Sequence, residues 1–298
     1  MSLEISDQCL IEDIILSHDC RGVSALRPFL PSSYCKEAAQ FILDRSKASH
    51  KTAIITSGFF ILSAQAAETD GPPGATALAK ALDYLGFEVV YVTDRYATPF
   101  FNLDGTRPAQ VIEFPITDHT TSRNFAQKIL NEIKPAIIIA IERCGLTSSQ
   151  RYLNMKGKDI SDFTAKIDYL FLGQENTLGI GDGGNEIGMG NLASQVKVVP
   201  SLPDNPALTP TSQLVISSVS NWGAYGLVTA LSQLCQCDLL PSATWEQELL
   251  QELVTRGAVD GFTGENTCAV DAFDAEQNAW ALTHLKKLLQ QDAIAQPS

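Results

Sequence analysis

Carboxylates set among glycines are the residues of this sequence whose types and spacing could do chemistry. Gly179–Gly190 (GIGDGGNEIGMG) holds six of the chain's 20 glycines. Glycine carries a high entropic cost on folding, so such density points to backbone closing on a ligand or to positive φ angles. Asp182, Asn185 and Glu186 offer oxygen ligands for a hard divalent cation, Mn²⁺ or Mg²⁺. Gly183 and Gly184 bring bare backbone to the same place. Residues 179–184 formally match G-x-G-x-x-G, but the dinucleotide fingerprint needs a strand, a tight turn, a helix and an acid about 20 residues on. Here Asp182 and Glu186 lie inside the loop, where they repel a pyrophosphate, and no Lys-Ser/Thr pair closes it. A glycine turn of purely structural purpose is the alternative.

A second group is Glu68-Thr69-Asp70-Gly71-Pro72-Pro73-Gly74-Ala75. Two prolines between glycines fix a rigid turn, and Gly74–Thr76 open a helix whose free N–H groups can hold an anion. Glu68 and Asp70 flank that turn, although Asp70 can equally be a turn or cap residue. The third group is basic: Arg143, Arg151, Lys156 and Lys158 are four of only 21 Lys and Arg residues. Such a local reversal of charge can hold an anionic substrate, or form a solvated basic loop, with Asp159 orienting one of the cations.

Other chemistries are discounted. The four histidines (18, 50, 119 and 284) have no zinc-pair spacing. His119 follows a strand and can reach a rim as acid or base, or serve at the surface or as a cap. No G-x-S-x-G elbow is present. Seven cysteines, scattered at 9, 20, 35, 144, 235, 237 and 268, suit reduced thiols better than a disulfide framework; Cys235 and Cys237 fall in a helical pattern and read as core. The net charge of −13 argues against nucleic acid, which needs clustered cations in excess. No apolar run approaches the ~20 residues that span a bilayer. The acidic start (Glu4, Asp7, Glu12, Asp13) suits neither a secretory signal nor an Arg-rich transit peptide, so the address expected is cytoplasmic.

To act together these residues must be carried to one rim by the elements between them. Short Ile/Val-rich runs at Thr52–Gly58, Phe87–Asp94, Ala109–Pro115, Ala136–Glu142, Thr177–Asp182 and Gln213–Asn221 read as strands. Helical spacing appears at Thr76–Leu85, Ser122–Ile133 and from Trp222 to about Gln236. Near-continuous apolar strands alternating with helices predict an α/β, Rossmann-like three-layer sandwich, its mostly parallel sheet covered on both faces. Asp7–Leu16, Ser33–Ala48, Thr244–Arg256 and Cys268–Gln290 read as added N- and C-terminal helices. Val199–Pro210, with four prolines, reads as an irregular surface excursion. Hydrophobic residues at 45% supply a core, and a single domain over 1–298 is expected, its core at about 50–237 with helical additions at 1–49 and 238–298. Ligands of open parallel sheets bind beyond the carboxyl ends of the strands. Five of these ends present polar or glycine residues: Ser57-Gly58, Thr93-Asp94-Arg95, Glu142–Gly145, Asp182–Glu186 and Ser220-Asn221-Trp222-Gly223.

Taken in order, ETDGPPG (68–74), Val92-Thr93-Asp94, IERCG (141–145), YLNMKG (152–157) with Asp159-Ile160, GIGDGGNEIGMGN (179–191) and SNWG (220–223) resemble the D-glutamate cyclase-like C-terminal domain family. The resemblance runs from about residue 50 to 235. In longer members this domain follows an N-terminal domain similar to a hydro-lyase, which this sequence does not contain. The resemblance implies lactam closure of D-glutamate to 5-oxo-D-proline with release of water, a lyase activity in amino-acid metabolism, and a divalent cation, Mn²⁺ or Mg²⁺.

Residue types suggest how such chemistry would be divided. The α-ammonium must lose a proton to attack the γ-carboxylate, which calls for a carboxylate base of raised pKa. Glu142, ending a wholly apolar strand, is the first candidate and Asp182 the second. A metal held by Asp182, Glu186 and Asp70 would polarise the carboxylate under attack. Arg143 or Arg151, or the helix start at Gly74, would clamp the α-carboxylate, with Asn185, Asn221, Gly183 and Gly184 completing a pocket for a small anionic amino acid. Two other functions use the same rim: a metal-dependent phosphatase or nucleotide-handling enzyme, and a non-catalytic small-molecule-binding module. A homo-oligomer is compatible with either.

Overall fold

The computed structural model describes residues 10–103 and 108–295. The acidic Glu4 and Asp7, Cys9 and the expected helix start at Asp7 lie outside the described residues.

The Ile/Val runs form strands because β-branched side chains pack well on a pleated surface. In chain order they are β1 (Thr52–Ser57), a short hairpin of β2 (Phe60–Ile61) and β3 (Ala66–Ala67), then β4 (Glu88–Thr93), β5 (Gln110–Glu113), β6 (Ile137–Ile141), β7 (Thr177–Gly181) and β8 (Gln213–Ile216). Outside the hairpin, six strands make one sheet in the order β5-β4-β1-β6-β7-β8, and every neighbouring pair is parallel. Counted along the chain, that is the doubly wound order 3-2-1-4-5-6, which reverses direction between β1 and β6. A crevice therefore opens beyond the ends of those two strands.

The helices are α1 (Ile11–Ile15), α2 (Tyr34–Arg45), α3 (Pro72–Tyr84), α4 (His119–Ile133), α5 (Ala193–Val196), α6 (Ser220–Cys235), α7 (Ala243–Thr255) and α8 (Ala275–Ala295). Alternate strand residues feed two cores. Ala53, Ile55, Ile137 and Ile139 pack with Leu78 and Leu82 of α3 and Trp222 and Leu227 of α6. Ile54, Ile138 and Val90 pack on the other face with Ala126 and Ile129 of α4 and with Leu170. Burial on both faces is why the strands read as continuous apolar runs. The chain is an α/β three-layer fold. No helix among the described residues is long and apolar enough to cross a membrane, and the six described cysteines are free.

Several boundaries differ from expectation for local reasons. Helix α3 begins at Pro72 rather than Thr76, because prolines fit the first turn, where no N–H donor is required. Asp118 caps α4, its carboxylate accepting from the N–H groups of Thr120 and Thr121, so that helix starts at His119. Strand β8 stops at Ile216, not Asn221. The C-terminal helix starts at Ala275, not Cys268: Asp271 and Ala272 sit at φ 54° and 65°, left-handed values that no α-helix accommodates. Cys235 and Cys237 are half-buried around the left-handed end of α6 at Gln236 rather than in the core. Val199–Pro210 is irregular as expected, yet it is not merely surface, since Leu202, Ala207 and Thr209 are buried.

Candidate functional site

Two strand ends and one helix start make the floor of the crevice. Glu142 follows β6 at φ 44°, a left-handed value that costs a non-glycine residue of order 1–3 kcal/mol and that clusters at functional sites. One of its carboxylate oxygens accepts from the Ser220 hydroxyl at 2.7 Å. Asp182 follows β7 and meets the guanidinium of Arg21 at 3.0 Å. Glu186 folds back over its own loop, accepting from the N–H groups of Gly183 and Gly184 at 2.8 Å each. That fold-back explains the glycines: a Cβ at Gly181 would lie 2.9 Å from one Glu186 oxygen, and a Cβ at Gly183 2.8 Å from the other.

The turn before α3 is interlocked with the start of α6. Asp70 accepts from the N–H groups of Ser220 and Asn221 at 2.8 Å each and from Gly71 N–H at 2.9 Å. Asn221 answers, its Oδ1 accepting from Gly71 N–H at 3.0 Å and Gly74 N–H at 2.8 Å. Each helix thus caps the other. Gly71 sits at φ +97°, where a Cβ would also come within 2.4 Å of the Ser57 hydroxyl.

Six buried carboxylates (Glu68, Asp70, Glu142, Asp182, Glu186 and Asp271) share this region. Ligand oxygens of Glu142, Asp182 and Glu186 lie within 4.8 Å of one another, as do those of Asp70, Asp182 and Asp271. The cation paired with them is Arg21, which grips Asp271 through both terminal nitrogens at 2.9 and 2.7 Å while reaching Asp182. Burial disfavours charge, and like charges compound it. Glu68 and Glu142 are held well above the usual carboxylate range by burial and by neighbouring carboxylates. Burial does the same to Asp182 although Arg21 opposes it. Asp70 is pushed up to about 7 by burial and by Asp271 against its backbone N–H donors, and burial raises Glu186. The floor is therefore an oxygen donor set in which burial disfavours the charged carboxylates.

Above the floor is a cavity of about 580 Å³, lined among others by Arg21, Glu68, Glu142, Asp182, Asn185, Glu186, Lys156 and Lys158. Asn185 is buried; its amide donates to Leu153 O at 3.1 Å, while its Oδ1 has no hydrogen-bond partner. An unsatisfied buried carbonyl oxygen in an oxygen-rich wall fits a hard cation. The donor set therefore suits Mn²⁺ or Mg²⁺ on the side of Asp182, Glu186 and Asn185. On the other side, the single positive charge of Arg21 is shared between Asp182 and Asp271.

Asp70 combines its expected place beside Asp182, whose ligand oxygen lies within 4.8 Å, with a second duty in capping α6. Several other expected roles do not fit. Gly74 N–H and Asn221 are paired with each other, leaving no open anion site at the start of α3. The N–H groups of Gly183 and Gly184 are taken by Glu186. Arg143 is no clamp: buried beneath the rim, it bonds Asp94 at 2.6 Å, Gly58 O at 2.8 Å and Ala165 O at 3.1 Å, tying strand ends together. Arg151 points to solvent with 60% of its side chain exposed, paired with Asp159. His119 bonds the Tyr169 hydroxyl at 2.9 Å and does not line the cavity. Glu142, Asp182, Glu186 and Asn185 are brought together. Sequence reasoning missed Arg21 and Asp271. The nearest signal for Arg21 is the Asp19–Gly22 turn, where Asp19 accepts from the Arg21 and Gly22 N–H groups; Asp271 was hidden in a segment read as helix.

A family model described as D-glutamate cyclase-like, C-terminal, matches residues 11–286. A human protein named D-glutamate cyclase, mitochondrial, is 33% identical over 190 residues, covering 57% of this chain and 30% of its own length. The chain thus spans less than a third of that relative. Among solved structures, an exopolyphosphatase-related protein from Bacteroides fragilis aligns with 90% of this chain and 62% of its own, at 11% identity and a TM-score of 0.41.

Proposed function

The chain belongs to the D-glutamate cyclase-like, C-terminal family, and on that premise we propose that it closes D-glutamate to 5-oxo-D-proline and water in the carboxylate-floored cavity. The observation that carries the reading is the meeting of Glu142, Asp182 and Glu186 oxygens within 4.8 Å beyond the ends of β6 and β7, beside the sheet's switch point. The reaction forms a bond from the α-nitrogen to the γ-carboxyl carbon and breaks one carbon–oxygen bond. Two protons must leave the α-ammonium, and two must arrive on the departing oxygen. No net proton is consumed, so the task is relay. Buried carboxylates with raised pKa values suit it, because a raised pKa makes each a better proton acceptor for the α-ammonium.

Glu142 is the proposed base: one oxygen is steadied by Ser220, leaving the other for the α-ammonium. Asp182, oriented by Arg21, is the second member of the relay. Lys156 and Lys158, at the mouth, attract the α-carboxylate in place of the arginines. Asp182, Glu186 and Asn185 Oδ1 would hold Mn²⁺ or Mg²⁺, which when bound supplies Lewis-acid polarisation of the γ-carboxylate. Holding the substrate curled adds the advantage of proximity. A phosphatase or nucleotide site is disfavoured, because the Gly183 and Gly184 N–H groups that could cradle phosphate are filled by Glu186.

The test is to incubate the purified protein with D- or L-glutamate and Mn²⁺ and to quantify 5-oxoproline by chiral chromatography. Product from the D-enantiomer supports the reading. No product above the uncatalysed background from either enantiomer overturns it.

A further inference from the structure

Cavities of about 300–1,000 Å³ take drug-sized ligands, and this one, at about 580 Å³, is large for a free amino acid of ten heavy atoms. Its lining is also of two chemistries. The floor is carboxylate, whereas the lining also carries the apolar side chains of Phe59, Ile61, Leu62 and Phe262. Free glutamate has nothing apolar beyond its methylenes to place there. Phe262 nevertheless stands 61% exposed at the mouth, a position where an aromatic ring gains from a ligand that covers it.

Glu68 joins the two. Its backbone N–H donates to Phe59 O at 3.0 Å, which places Phe59 beside the floor. Its carboxylate presses on Gly261, where a Cβ would come within 1.8 Å, so Phe262 follows directly after that contact. Opposite stands a tight loop in which Asn154 Oδ1 accepts from the Lys156 and Lys158 N–H groups at 3.0 and 2.9 Å. Among the described residues neither Lys156 nor Lys158 forms an ion pair, which leaves cationic charge for a carboxylate. A ligand matching all three surfaces has an α-carboxylate toward the lysines, an α-amine and γ-carbonyl over the floor, and an apolar group leading away from the γ-carbon.

We propose that the apolar lining is a leaving-group subsite, and that the chain acts on γ-amides of D-glutamate whose amine bears an apolar substituent, releasing that amine as 5-oxo-D-proline forms. The inference rests on the cyclisation reading and deepens it. The α-nitrogen–carbon bond forms and the amide carbon–nitrogen bond breaks. The two protons lost by the α-ammonium are taken up by the departing nitrogen, which leaves as an alkylammonium. No oxidant or further reactant is required.

The experiment uses the purified chain with Mn²⁺ and compares D-glutamate with its γ-methylamide, γ-butylamide and γ-hexylamide, measuring 5-oxo-D-proline and free amine. Burial of a methylene is worth about 0.8 kcal/mol, or roughly fourfold. We expect kcat/KM to rise at least tenfold from methylamide to butylamide. Phe262→Ser should flatten that rise by raising KM for the longer amides. A series that is flat or falls with chain length, amides hydrolysed to free D-glutamate, or D-glutamate cyclised while the amides are inert would each overturn the inference and leave the cyclisation reading standing. Absence of 5-oxoproline from every substrate would overturn both.

Discussion

Glu142 is held in a left-handed backbone conformation at a strand end, its carboxylate buried and steadied by one hydroxyl. Such a residue keeps its position only because β6, Ser220 and the neighbouring loop overdetermine it. Glu142→Gln keeps the shape and the Ser220 bond but removes the proton-accepting oxygen. A hundredfold or greater loss of 5-oxo-D-proline formation is expected, with little change in melting temperature, since general acid–base groups contribute about 10²–10⁴-fold. Asp182→Asn should fall similarly. Full activity in either variant would remove that residue from the mechanism. The unpartnered Asn185 oxygen makes a separate claim. Mn²⁺ at a hundredfold excess over its dissociation constant should stabilise the fold by about 2.7 kcal/mol. Asn185→Ala should weaken that metal affinity tenfold or more, read as a smaller thermal shift at equal Mn²⁺. Equal shifts would place the cation elsewhere. Much of this constellation was legible, because Glu142, Asp182, Asn185 and Glu186 stand at strand ends or in the glycine loop. Arg21 and Asp271 were not, since each lies in an irregular segment whose position depends on the finished fold.

At the scale of elements, the site depends on α3 and α6 starting side by side. Asp70 caps α6 and Asn221 caps α3, so four helix N–H donors are satisfied across the joint. Asn221→Ala orphans the Gly74 N–H in a buried place, whereas Gly71 N–H keeps its bond to Asp70. At about 1–3 kcal/mol for an unsatisfied group, a loss of about 1–3 kcal/mol is expected in urea denaturation. A loss under 0.5 kcal/mol would mean that the two helices hold their places without the joint. The sequence signalled both residues, but not that each caps the other's helix. A glycine-rich helix start beside an amide looks like an anion site until the amide is found to occupy it. Element types came through better than their ends. Asp118 and the two prolines shifted helix starts by a few residues through capping, and Asp271–Ala272 broke a helical pattern that periodicity alone could not fault.

Across the whole molecule, the parallel sheet was legible in the apolar runs, but the order β5-β4-β1-β6-β7-β8 was not. Pairing between strands distant in sequence leaves no local trace. The same fold buries carboxylates beyond the site, and these add to its response to pH. Glu246 on α7 accepts from the Tyr225 hydroxyl at 2.7 Å. Burial pushes its carboxyl from 4.5 up to about 7, with the Tyr225 bond opposing. In the unfolded chain this group ionises near 4.5, so between that pH and about 7 the folded state binds more protons. Stability must then fall as pH rises through this window, the native advantage being fully present below 4.5 and lost above about 7. For Glu246 alone the swing is roughly 3 kcal/mol, since each pH unit of difference is worth about 1.4 kcal/mol. Glu246→Gln keeps an acceptor for Tyr225 and removes the charge. The variant should therefore be more stable than the parent at pH 8.5 by about 1–3 kcal/mol, and the two should converge near pH 5. Urea denaturation across that range reads the difference directly. A constant gap between the two proteins at every pH would show that Glu246 does not titrate in the window, and that its burial is relieved by some contact other than the Tyr225 hydroxyl.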